Sequence, residues 1–179
     1  MKYSKQNINS VSAYRTLFST NPSNLTTDAS RAKAALEQAL DTRKFEIELY
    51  WKRSTYFWIF IAAAFGGFGA IYERAKEGSD HGPMLLLISG IGLIFSFSWI
   101  LVNKASKFWQ LNWERHVDML DDLVYGPLYK TVLDHDNSRF TALDFNSPFH
   151  FSVSRLNQMV SYFITSIWSA FCTLLFGFA

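Results

Sequence analysis

The run from Met84 to Val102, MLLLISGIGLIFSFSWILV, contains no charged side chain. At about 1.5 Å per residue, a helix of that length nearly matches the hydrocarbon thickness of a bilayer. Such a run must be buried, and a chain of only 179 residues with 17% aromatic residues points to lipid rather than a soluble core as its surroundings. Its continuation is charged but keeps an apolar seam at helical spacing: Trp99, Val102, Trp109, Trp113, Val117, Leu120 and Val124. The expectation is one helix, from Met84 to Tyr125, that leaves the membrane without ending. Pro83 suits its first turn and Gly126-Pro127 its stop.

Two further apolar segments bracket this one. Tyr56 to Tyr72 is bounded by Lys52 and Arg53 before and Glu73 and Arg74 after, and Met159 to Ala179 carries no charge. The predicted fold class is an all-α integral membrane protein with three transmembrane helices, at 56–72, 84–102 and 159–179. The first two extend into long amphipathic cytoplasmic helices, at 28–55 and 103–125, that form an antiparallel pair. Thr27 and Asp28 are candidate caps for the first extension, whose stripe is Ala32, Leu36, Leu40, Ile47 and Tyr50. Leaving two such stripes in water is improbable, because burying one large apolar side chain stabilises by about 1.5–3 kcal/mol. Residues 1–27, rich in Ser, Asn and Thr, read as a flexible or loosely docked arm, and residues 126–150 as an irregular cytoplasmic segment.

Charge sets the orientation. Lys44, Lys52, Arg53, Lys104, Lys107 and Arg155 flank the spans on one side, against Arg74 and Lys76 on the other. The positive-inside rule then gives a bacterial inner-membrane protein with a cytoplasmic N-terminus and a periplasmic C-terminus.

Charge also limits function. With Lys+Arg 17 and Asp+Glu 15, scattered rather than massed, direct nucleic-acid binding is disfavoured. The lone Cys172 excludes an intramolecular disulfide. No nucleophile elbow, phosphate loop or HExxH is present, so the chain reads as non-enzymatic and without cofactor. Glu114, Arg115, His116, Asp118, Asp121 and Asp122 form the densest ionisable patch, whose carboxylates and imidazole could be imagined around a cation, as could Asp134-His135-Asp136. A solvated helix face and a turn are the simpler readings, and no metal is expected.

The spans carry small-residue faces. Ala62, Gly66 and Ala70, with Ala63 and Gly67 beside them, repeat every four residues on the first, and Ser89, Gly92 and Ser96 line the second. Ser161, Thr165, Ser169 and Thr173 line the third. Such faces let helices approach closely within one chain, or border a pore in a ring of subunits. The seam of Trp99, Trp109, Trp113, Val117 and Leu120 needs a cover, from the same chain or from a cytoplasmic effector.

The runs YWKRSTYFW at Tyr50–Trp58, NKASKFWQLNWERHVDMLDD at Asn103–Asp122 and LYK at Leu128–Lys130 resemble a pattern in small bacterial inner-membrane proteins. More distantly, they are similar to the membrane accessory protein of type VI-B CRISPR systems. The resemblance covers roughly residues 45–130. It implies a multi-subunit pore that assists RNA-triggered phage defence. That accessory carries a degenerate R-x4-6-H motif of RNA-cleaving HEPN domains. Here the one counterpart is Arg74 to His81, which falls outside the cytoplasm in the deduced topology, so ribonuclease activity is not carried over. The functional expectation is a homo-oligomeric, pore-forming or membrane-permeabilising protein of stress or antiviral defence, with the lipid bilayer as its first partner. The alternatives are a membrane anchor that recruits a cytoplasmic effector and, third, a membrane-bound HEPN-like ribonuclease.

Overall fold

The structure is a computed structural model that describes residues 8, 10–21, 24–27, 29–76, 81–126, 128, 129, 131 and 152–177. Three long helices dominate it: α2 (Ala29–Ala75), α3 (Gly82–Val124) and α4 (Val153–Gly177). Before them come a short helix α1 (Val11–Thr16) and an antiparallel hairpin of β1 (Ser19–Asn21) and β2 (Asn24–Thr27), with Ser19 opposite Thr27 and Asn21 opposite Asn24. Within the arm expected to be flexible or loosely docked, Tyr14 is 6% exposed. Each long helix contains a window long and apolar enough to cross a membrane. With 47 residues in α2 and 43 in α3, both exceed the roughly 20 residues that a crossing needs.

Local chemistry explains the boundaries. α2 runs unbroken because no proline occurs in it and its first glycine is Gly66. The His81 carbonyl accepts from the Met84 and Leu85 amides at 3.1 and 3.0 Å, which opens α3, and Pro83 falls in the first turn where its missing N–H costs nothing. At the other end Gly126 adopts φ +70°, a left-handed stop that a side chain would strain.

The chain forms two compact units, Met1–Glu46 with Trp109–Asp144, and Ile47–Phe108 with Phe145–Ala179. In the first, Ala32, Leu36 and Ala39 of α2 pack with Val117 and Leu120 of α3 and with Tyr14. Trp113, Val124 and Leu40 close the margin of this core. The apolar seam of α3 is therefore covered from within the chain, which removes its need for a separate protein. In the second unit Arg53 meets Ser106, Phe60 stacks on Phe95, and Gly67 approaches Ile88. Partner numbers on α3 fall as those on α2 rise, the register of an antiparallel pair. Its core is aromatic: Ile61, Ala64, Trp99, Ile164 and Trp168 are buried together.

Candidate functional site

The most polar feature of the second unit joins all three helices. Asn157 of α4 is 7% exposed, and its Nδ2 shares two hydrogens among three acceptors within reach, the Tyr50 hydroxyl at 2.7 Å, the Ser54 hydroxyl at 3.0 Å and the Asn103 Oδ1 at 3.3 Å. Asn103 in turn donates to the Ser161 hydroxyl at 3.4 Å. Ser54, Asn103 and Ser161 are buried, and beside them Arg53 donates to Ser106 at 3.3 Å. Burying this much polarity is tolerable only because the groups satisfy one another, and the arrangement fixes the register of the three helices at once. Sequence reasoning missed Asn157, because a lone polar residue before an apolar run has no periodic partner. The available signal was that Asn103 and Asn157 both sit where an apolar run meets its charged flank.

Farther along the spans, rings take over. Trp168 is fully buried, its indole stacked on Phe65 at 4.4 Å and set edge-on to Phe68 and Phe171 at 6.0 and 5.7 Å. Gly92 makes room for it: a Cβ there would lie 2.4 Å from two indole carbons. Trp99 packs between Phe57 and Trp58, at 6.3 and 5.1 Å. Neither indole N–H finds an acceptor among the described residues.

The predicted small-residue faces divide between inside and outside. Ser89 and Ser96 are fully buried and Gly92 lies under Trp168. Ala62, Gly66 and Ala70 are exposed, so they do not pack within the chain; the glycine that does is Gly67, whose Cβ would meet Ile88 at 2.6 Å. On α4, Ser161 is buried, Thr165 half-buried, and Ser169 and Thr173 exposed. The Thr165 and Thr173 hydroxyls donate back to the Ser161 and Ser169 carbonyls at 2.8 and 3.1 Å. Of the seam residues, Trp99, Val117 and Leu120 are buried and Trp109 and Trp113 half-buried. Among the described residues no cluster could hold a metal ion. Glu114 instead pairs with Arg43 at 3.8 Å, a half-exposed contact of small energetic weight. Asp134-His135-Asp136 lies outside the described residues. Arg74 is exposed at the end of α2 and His81 half-buried before α3.

In the first unit the Tyr14 hydroxyl hydrogen-bonds His116 Nδ1, and the Trp113 ring lies 5.2 Å from the imidazole. Burial pushes the Tyr14 hydroxyl up to about 12 and lowers His116 below its ordinary 6.5. A neutral imidazole is therefore favoured with α1 in place. The stability this contributes is fully present above the unfolded value near 6.5 and is lost as pH falls through the lower folded value. Amide exchange over Val11–Thr16, corrected for its intrinsic pH dependence, should be faster at pH 5 than at pH 7.5. Equal corrected rates would mean that His116 does not hold the arm. One member of the patch read as a solvated face departs from that reading: Asp121 is fully buried, and its Oδ2 accepts the Tyr129 amide at 3.1 Å, tying the chain after Gly126 back to α3.

These features define a helical membrane protein whose polar side chains fasten its spans to one another. The chain belongs to the octameric membrane protein family (8xMP), which it matches over residues 33–177. No curated protein and no solved structure matches it.

Proposed function

We propose that this chain is one subunit of a ring of copies in the bacterial inner membrane, with its N-terminus cytoplasmic, and that opening of the ring permeabilises the membrane in a stress or antiviral defence response. One observation carries this reading. α4 turns Ser166, Ser169 and Thr173 outward, away from its buried Asn157, Ser161, Ile164 and Trp168. A single three-span chain has no interior for a polar outward face to line, whereas a ring of subunits has both a lumen and seams between copies. Membership of an octameric family supports the ring.

In this reading the charged extensions of α2 and α3 lie in the cytoplasm and cover each other, and the protein has no enzymatic activity. Arg74→Ala and His81→Ala would then leave its effect on cells unchanged. Vesicles reconstituted with the protein are expected to lose entrapped potassium faster than protein-free vesicles. Equal rates across pH, lipid composition and applied potential would overturn the proposal.

A further inference from the structure

The second unit presents three outward helix faces, and they differ in kind. That of α3 is bulky and aliphatic, with Leu87, Ile91, Ile94 and Leu101 between 41% and 66% exposed. Such a face suits lipid. That of α2 is flat from Ala62 to Ala70, because Ala62, Gly66, Gly69 and Ala70 are all exposed, with the bulky Ile59 before them. Its glycines make room for nothing among the described residues. Gly67 and Gly92 are explained by Ile88 and Trp168, but a Cβ at Gly66 or Gly69 would meet nothing within 4 Å. So would one at Gly90 of α3, but that glycine stands singly among Leu87, Ile91 and Ile94, whereas Gly66 and Gly69 share one stripe with Ala62 and Ala70. Glycine weakens a helix interior relative to alanine, so its presence at an open position signals a close approach by something outside the chain.

The outward face of α4 has a small patch too, hydroxylated and set between Tyr162 and Phe176, which are 44% and 68% exposed. Ser166 and Thr173 satisfy their hydroxyls on their own helix, donating to the Tyr162 and Ser169 carbonyls at 3.0 and 3.1 Å. Ser169 lies between them, exposed.

The two small faces are also level with each other. Ser54 meets Asn157, Phe65 stacks on Trp168, and Phe68 on Phe171, a constant offset of 103 residues. That offset puts Ala62, Gly66 and Ala70 level with Thr165, Ser169 and Thr173. Copies in a ring are related by rotation about the membrane normal, so residues level within one copy are level between copies. A ring also needs two different surfaces that meet, since its contacts are head-to-tail.

We infer that α2 and α4 form the seam between neighbouring copies: the Ala62–Gly66–Ala70 face of one packs on the Ser169–Thr173 face of the next, with Gly66 opposite Ser169. α3 is left facing lipid. The missing Cβ at Gly66 lets the helices approach until the Ser169 hydroxyl reaches backbone carbonyls of the next copy, the kind of contact that lipid cannot replace. This rests on the ring reading, and it names the surface that builds the ring.

Cysteine pairing tests it in the full chain. In a Cys172→Ser background, Gly66→Cys and Ser169→Cys chains are co-expressed and oxidised in the membrane. The expected product is a disulfide-linked dimer of the two different variants, while the double variant gives a ladder of higher multiples. Ile94→Cys, on the lipid face, is expected to give neither. Independently, Gly66→Leu is expected to lower the oligomer fraction about tenfold with helical content unchanged, since its side chain enters open space within one copy. An oligomer of wild-type size that gives no ladder, or a ladder from Ile94→Cys, would overturn the seam but leave the ring intact. A monomeric wild type would overturn both.

Discussion

Trp168→Ala is expected to lower stability by about 3–5 kcal/mol, the range for emptying a buried site of that size. Trp168 is fully buried and ringed by Phe65, Phe68 and Phe171, so the neighbours cannot collapse inward without giving up their own stacking. The converse change probes the same contact from the other side. Gly92→Ala would put a methyl 2.4 Å from the indole, and overpacking of this kind costs about 1–3 kcal/mol. The two should be strongly coupled: combined with Trp168→Phe, which leaves room for a methyl, Gly92→Ala should cost much less than alone. The check is unfolding of the reconstituted protein in mixed detergent, followed by near-ultraviolet circular dichroism. Additive costs for the pair would show that Gly92 is not there to admit Trp168.

Asn157→Ala is the second large effect, about 1–3 kcal/mol. The substitution removes one donor group and leaves the Tyr50 hydroxyl, the Ser54 hydroxyl and Asn103 Oδ1 without the partner that each has at 2.7, 3.0 and 3.3 Å. The lower part of the range applies if water reaches the gap, since membrane hydrogen bonds measured individually often contribute under 1 kcal/mol. Asn157→Asp separates the causes. It keeps the size but puts an acceptor where a donor stood, so below the carboxyl's protonation pH it should recover much of the loss. The same unfolding assay, with Ser166→Ala on the outer face as the near-neutral reference, reads the difference. An Asn157→Ala protein as stable as that reference would remove the junction from the account.

Much of the architecture is legible in the residues. Charge-free runs require three spans, and Pro83 and Gly126 mark the ends of α3 because each is favoured by the local backbone. The apolar seam on α3 could be read from spacing, and so could its need for a cover. What spacing could not supply is direction. A repeat of four residues advances by about 40° per step around a helix of 3.6 residues per turn, so a stripe such as Ser161, Thr165, Ser169 and Thr173 winds from the core to the outside within three steps. That is why Ser161 is buried against Asn103 and Thr173 is not. Adjacent positions differ by about 100° around the helix, which turns Gly66 outward and sets its neighbour Gly67 against Ile88. Tyr14 was illegible for a different reason. Its partner His116 lies 102 residues away, and no local pattern marks one tyrosine in a polar arm as an anchor.

The pieces then connect. A polar junction fixes the register of three spans, an aromatic core fixes their spacing, and the outward faces left over are aliphatic on α3 and carry a small-residue patch on α2 and on α4. Membership of an octameric family supports neighbouring copies against such faces. The mass of the assembly reconstituted in nanodiscs, corrected for lipid and scaffold, tests this most directly. Eight chains of 20.6 kDa give about 165 kDa of protein, and the expected result is one species at that mass. A species at the mass of one chain, persisting as protein concentration is raised, would contradict the account.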